Sequence, residues 1–338
     1  MKAIRIVKPY KVENYDIAEP TVGPAELLIK VKVLGLCGSD LATYRGSNPM
    51  VGYPRIPGHE IVGEIVDKGS HVPADFVVGA SVTVFPYTAC GKCPACRIGR
   101  VNCCQYNQTM GVQRDGAAAE YIVVPYQKVF RVDGFSYEQI VCIEPLSIGW
   151  HATSRAEVAS EDTVLVFGCG VIGLGAAAAS AFKSATVIAV DIDDGKLEKA
   201  EKLGAKYLIN SARENLEERA KQITSGEGPR VVIEAVGLPQ TFAKAVEIVS
   251  FAGRVVYIGY AKDKVEYEAK LVVSKELDIK GSRNAFNSEI SAVIDMLKIS
   301  KADITSLVTQ RFKIDEAAIA FDFWDKNTVE VTKIVILF

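Results

Sequence analysis

Cysteine spacing is the first chemistry the chain offers. Cys90, Cys93, Cys96 and Cys104 follow the pattern C-x2-C-x2-C-x7-C. Four thiolates within one loop can close a tetrahedral zinc site with no position left open, which makes such a site structural. Cys103 adjoins Cys104 and could replace it, although three short spacings followed by the longer one favour Cys104. Two other readings exist. A disulfide would need an oxidising compartment, and an iron–sulfur cluster would need a different placement of the fourth ligand.

A second set is dispersed: Cys37 in GLCGSD, His59 and Glu60 in PGHE, and Glu144 in IEP. Any one of them alone is more simply a core residue or an ion-paired carboxylate. Together they supply one soft thiolate, one imidazole and hard carboxylates, a mixture that holds zinc while leaving a position for water or substrate. An open zinc site acts as a Lewis acid toward a bound alcohol, which then gives up its proton near neutral pH and can pass a hydride to nicotinamide.

The matching cofactor signature lies further on. Gly168, Gly170 and Gly173 form GxGxxG in VLVFGCGVIG, after a strand-like run and before a helical one, with Val171 and Ile172 at the helix start. The first glycine permits the tight turn, the second lets the backbone approach a pyrophosphate, and the third allows close helix–strand packing. Asp191 closes the next strand-like run, TVIAVD, where a carboxylate accepts from ribose hydroxyls and repels a 2′-phosphate. NAD is therefore expected rather than NADP.

These residues need two different scaffolds. Up to residue 146 the chain shows short β-branched runs (LLIKVKVLGL, IVGEIVDKG, SVTVFPY, AEYIVVP) broken by Gly, Pro and Asp, as a β-rich domain does. Strands then alternate with helical stretches through residues 147–281, the pattern of a doubly wound parallel sheet. A chain of 338 residues has room for both cores. Residues 282–338 are mixed, with a helix around SEISAVIDMLK and a closing strand TKIVILF, and periodicity alone leaves open which domain they complete.

Composition narrows the partners. A net charge of −2 with both signs interspersed argues against nucleic acid and anionic membrane, and favours a small metabolite. The first residues lack the regions of a signal peptide, and no run approaches the roughly 20 apolar residues of a membrane span. A cytoplasmic location is expected, in keeping with reduced thiols. His71 and His151 lack ligand spacing and are read as structural.

The motifs GLCGSD, PGHEIVGEIVDKG, CGKCPACRIGRVNCC, EPLSIG, GCGVIGLGAA and KGSRNAF fall in one order along the chain. In that order they resemble the zinc-containing medium-chain dehydrogenases over essentially the whole length. Glu144 in EPLS points to the polyol and sugar-acid branch, with its galactonate, sorbitol and threonine dehydrogenases. The resemblance implies a GroES-like catalytic domain over residues 1–146 and 282–338, and a Rossmann NAD-binding domain over 147–281. It also implies a dimer or tetramer, and two zinc ions per chain. Cys37, His59, Glu60 and Glu144 become the catalytic-zinc candidates, with the two glutamates alternating with water or substrate. Ser39 takes the part of the hydroxyl that passes the alcohol proton onward. Lys196 meets the adenosine ribose, and Ile258, Gly259 and Arg283 lie near the nicotinamide.

Two positions depart from that pattern. Many relatives carry a histidine five residues after the zinc cysteine, and here Ala42 stands there, so the proton must leave Ser39 by cofactor ribose, water or another group. Relatives also read GVHxDGG where this chain reads Gly111-Val-Gln113-Arg-Asp115-Gly116-Ala117. Arg45, Gln113, Arg283, Asn284 and Asn287 suit a polyhydroxylated acid, although the two arginines fit surface ion pairs or cofactor contacts equally well. The expected reaction is oxidation of a secondary alcohol on an aldonate, such as L-galactonate or L-gulonate, or on a polyol. An amino-alcohol substrate of the threonine type and a non-catalytic zinc- and NAD-binding sensor are the competing readings.

Overall fold

The computed structural model describes residues 1–300 and 302–338. Its internal contacts separate two units, Met1–Glu144 with Ile304–Phe338, and Pro145–Asp303. The mixed α/β architecture agrees with the reading of the sequence.

In the second unit six parallel strands lie in the spatial order Tyr207–Asn210, Thr186–Asp191, Thr163–Phe167, Val231–Glu234, Arg254–Tyr257, Asp278–Gly281. The chain starts near the middle, winds out to one edge, returns and winds out to the other. Ligands of such sheets bind at the carboxyl ends of the strands, at the point where the winding reverses. That point lies between Thr163–Phe167 and Val231–Glu234. Both strands are largely apolar because helices cover both faces, and Leu165, Val166, Val232 and Ile233 are fully buried.

The expected boundary at 281/282 lies instead at 303/304. Helix Asn287–Ser300 packs on helix Val171–Phe182 and buries Ile290, Val293, Ile294 and Leu297. Its apolar stripe thus covers the parallel-sheet unit, and only residues from Ile304 onward join the first unit.

The spine of the first unit is strand Glu26–Leu36. Glu60–Lys68 pairs antiparallel along one edge, while the other edge is shared by Tyr121–Pro125, opposite the first half, and Lys333–Leu337, opposite the second. Ser81–Val84, Val129–Arg131 and Val308–Lys313 extend the sheet outward. Ile29, Leu34, Ile61, Ile65, Ile334, Ile336 and Phe321 fill its core. Immediately after the spine comes helix Gly38–Tyr44, whose last residue stacks on Phe321 with ring centroids 5.3 Å apart. Among the described residues no helix is long and apolar enough to cross a membrane.

Phe321 is fully buried under the helix that follows Cys37. Phe321→Ala should lower unfolding stability by about 3–5 kcal/mol through lost transfer energy and the cavity left behind, as read by urea denaturation. Phe321→Leu should cost clearly less. Equal midpoints for wild type and the alanine variant would remove Phe321 from the support of this helix.

Candidate metal and cofactor sites

Strand register builds the first site. The spine ends at Leu36, so Cys37 emerges at its tip as the N-cap of helix Gly38–Tyr44. On the neighbouring strand Glu60 pairs opposite Gly35. A Cβ at Gly35 would collide with the Glu60 carboxylate, so glycine leaves the space that Glu60 occupies. Asp40, fully buried, ties the two segments together by accepting the Cys37 N–H at 2.9 Å and the Gly58 N–H at 3.0 Å. Burial pushes its carboxyl above the usual range.

The ligand atoms of Cys37, His59 and Glu60 lie within 4.8 Å of one another. His59 and Glu60 are buried, and His59 Nδ1 and Glu60 Oε1 have no hydrogen-bond partner. Orphaned polar atoms are costly in an interior, and two of them converging on a thiol make the donor set of a cation site. Burial disfavours a charged His59 ring, yet the Cys37 sulfur, with which the ring hydrogen-bonds, and the carboxylates of Asp40 and Glu144 outweigh it and hold the imidazole well above the ordinary histidine range. The other Glu60 oxygen pairs with Lys333, a buried lysine that also donates to Leu36 O at 3.0 Å.

Glu144, in the first turn of helix Ile143–Arg155, does not join the 4.8 Å group. It accepts a 2.5 Å hydrogen bond from the buried Tyr87 hydroxyl. Burial, reinforced by repulsion from Glu60, pushes its carboxyl up to about 6 despite the attraction of His59. Ser39 Oγ is buried without a partner beside the cap. The Ala42 side chain offers no acceptor.

Cys90, Cys93, Cys96 and Cys104 form the second cluster, again within 4.8 Å, and all eight cysteines are unpaired thiols. Cys93 Sγ and Cys104 Sγ are 4.0 Å apart. A tetrahedron with metal–sulfur bonds of about 2.3 Å has edges of about 3.8 Å, so the loop is already near the shape zinc requires. Cys103 points elsewhere, with Arg100 Nη2 3.9 Å from its sulfur. Backbone N–H groups of Gln105 and Cys96 pull the Cys93 thiol down to about 6.

In the parallel-sheet unit the cofactor candidates gather at the carboxyl ends of the strands. Gly168 has φ +87°, Gly170 caps helix Val171–Phe182, and a Cβ at Gly173 would strike Gly168 O. Around Gly170 a Cβ would meet nothing within 4 Å, so packing within the protein does not require glycine there. That open cradle, beside the unpaired first N–H groups of the helix, fits a pyrophosphate. Asp191 accepts from Cys169 N at 2.6 Å, Ile192 N at 2.8 Å and Asp193 N at 3.1 Å, which fixes its carboxylate at the strand end. Lys196 lies in the first turn of helix Asp194–Lys202. Ile258 and Gly259 follow strand Arg254–Tyr257 and donate to Glu234 O, and Arg283 follows strand Asp278–Gly281.

The expected substrate donors fare differently. Arg45 spends its guanidinium on Asp325, with Nε at 2.5 Å from the carboxylate and Nη2 at 3.2 Å from the carbonyl, so the ion-pair reading describes it better. Gln113 Oε1 accepts from Thr109 N at 2.9 Å, inside its own loop. Arg283 and Asn287 are exposed, and Asn284 has φ +52°. His71 is exposed in a loop, whereas His151 is buried with Nδ1 3.0 Å from Glu289.

Sequence reasoning passed over Gly35, Asp40, Tyr87 and Lys333. Asp40 sat inside the GLCGSD run and could have been flagged as a cap three residues after Cys37. No local signal marked the other three.

Two family profiles match the chain: "Alcohol dehydrogenase GroES-like domain" over residues 23–134 and "Zinc-binding dehydrogenase" over residues 171–299. An uncharacterized zinc-type alcohol dehydrogenase-like protein of Haemophilus influenzae is 38% identical, over 94% of this chain and 92% of its own. L-galactonate-5-dehydrogenase of Escherichia coli K12 is 34% identical over 94% of each chain. Among solved structures, the short chain alcohol dehydrogenase (rspB) of Escherichia coli CFT073, complexed with the cofactor NADH, superposes with a TM-score of 0.91 at 33% identity, over 100% of this chain and 99% of that one.

Cys96→Ser should reduce bound zinc from two ions per chain to one by plasma emission, in line with the two donor clusters. Loss of a cross-linking metal should also lower the thermal midpoint by about 5–10 °C. Unchanged zinc content would remove Cys96 from the ligand set.

Proposed function

The chain belongs to the zinc-binding alcohol dehydrogenase family, and we propose that it oxidises a secondary hydroxyl of a sugar acid or polyol to the ketone with NAD as acceptor. The observation that carries this reading is the cluster of Cys37, His59 and Glu60 with its two orphaned buried donor atoms. Three protein donors are the number that leaves tetrahedral zinc one position for a substrate oxygen.

When bound, zinc supplies Lewis acidity toward the hydroxyl oxygen and the nicotinamide ring takes the hydride. Cys37, His59 and Glu60 hold the cation, and Lys333 balances one oxygen of Glu60. Ser39 Oγ, buried and unpartnered, receives the hydroxyl proton. Ala42 stands where a basic side chain would take the proton on, so this chain's own contribution to the relay ends at Ser39. The helix N-terminus at Gly170 receives the pyrophosphate, and Val171, Ile172, Lys196, Ile258, Gly259 and Arg283 line the remainder of the cofactor track. Asp191 accepts the adenosine ribose hydroxyls, and its charge, with Asp193 and Asp194 following, opposes a 2′-phosphate. The Cys90, Cys93, Cys96 and Cys104 loop holds the structural zinc. Eight unpaired thiols suit a reducing cytoplasm, and an assembly of two or four copies belongs to the same reading.

The test is NADH absorbance with a panel of aldonates, polyols and threonine, with NAD and NADP in parallel and a chelator control. A sugar acid or polyol with NAD should turn over, and chelation should abolish the rate. Ser39→Ala should lower kcat by about 10²–10⁴-fold with zinc content unchanged. Turnover of threonine alone would select the amino-alcohol reading, and silence toward every alcohol with zinc and NAD bound would favour the sensor.

A further inference from the structure

Glu144 poses a physical problem. It is a buried carboxylate whose field reaches His59, yet it stands outside the donor group of Cys37, His59 and Glu60. A divalent cation in a poorly screened interior attracts any carboxylate within reach, and a fourth protein ligand would close the position a substrate needs. Something must hold Glu144 back.

A donor that grips it is Tyr87, whose hydroxyl lies 2.5 Å from Glu144 Oε1. The phenol is itself well anchored. Its ring meets Phe85 edge-on at 5.1 Å, the Phe85 N–H donates to Lys128 O at 2.7 Å, and Pro86 O between them accepts from Met110 N at 3.2 Å. Tyr87 is buried, so water does not compete for its single proton. A charge-assisted bond of this kind is about twice as strong as a neutral one.

We propose that Tyr87 is a positioning residue that keeps Glu144 off the metal and so preserves the open position at the Cys37–His59–Glu60 centre. The inference rests on reading that cluster as the catalytic metal centre. It does not depend on which alcohol is the substrate.

The experiment uses the cobalt-substituted full chain, whose visible absorption reports coordination number without any substrate present. Tyr87→Phe should change the position and intensity of the cobalt bands as Glu144 moves onto the metal. Metal release to a chelator should slow about tenfold, and KM for the alcohol should rise about tenfold with a smaller change in kcat. In a Glu144→Ala background the same substitution should have no effect, because Tyr87 acts only through Glu144. Identical spectra and release rates for wild type and Tyr87→Phe would overturn the proposal, as would a change that persists in the Glu144→Ala background. Should Tyr87→Phe fail to fold, Glu144→Gln alone decides: an unchanged cobalt spectrum is expected, and an altered one would put Glu144 on the metal. A failed substrate panel leaves this test standing, whereas failure to take up cobalt at this cluster would defeat the functional reading first.

Discussion

Buried negative charge is the constraint around which the first unit is organised. Asp40, Glu60 and Glu144 are withdrawn from water together, close to the Cys37 thiol. Against them stands Lys333, and among the described residues no other lysine or arginine is buried. Isolated charges in an interior cost several kcal/mol each unless paired and hydrogen-bonded. The protein meets that demand residue by residue: backbone N–H groups serve Asp40, an ammonium serves one oxygen of Glu60, and a phenol serves Glu144. What remains uncompensated is His59 Nδ1 and Glu60 Oε1 beside the thiol. A divalent cation would complete the set.

Local chemistry was legible in the sequence. Four cysteines in fifteen residues lie close in any fold of that loop, and their thiols do come together; GxGxxG between a strand and a helix carries its own geometry, with Gly168 at positive φ and Gly170 at the helix start. Alternating strands and helices likewise revealed the parallel sheet, because burial on both faces forces continuous apolar runs. The dispersed ligand candidates were legible only as an ensemble, since Cys37 and His59–Glu60 meet through strand register.

The less legible features have physical causes. Lys333 lies in an apolar strand, where its partner depends on which strand lies alongside, and the sequence does not state that pairing. Tyr87 looks like an ordinary aromatic at a strand end until helix Ile143–Arg155 brings Glu144 to it. The amphipathic stripe of Asn287–Ser300 reveals that one face is buried but not against which unit, and the expected boundary was early for that reason. For Arg45 the sequence leaves substrate contact and ion pair equally open, because its acidic partner, Asp325, lies 280 residues away. Charge complementarity at that separation has no one-dimensional signature.

The pairing of Lys333 with Glu60 spans 273 residues, and it sets an order of maturation. Chains are synthesised at about 5–20 residues per second, so the ammonium emerges roughly 14–55 s after the carboxylate it neutralises. Throughout that interval Glu60 exists without its counter-charge and without the strand that completes the second half of the spine's edge. The parallel-sheet unit is continuous in sequence and can fold as it emerges. The β-rich unit, begun first, is finished second, and Glu60 has no Lys333 ammonium beside it until that distant strand arrives.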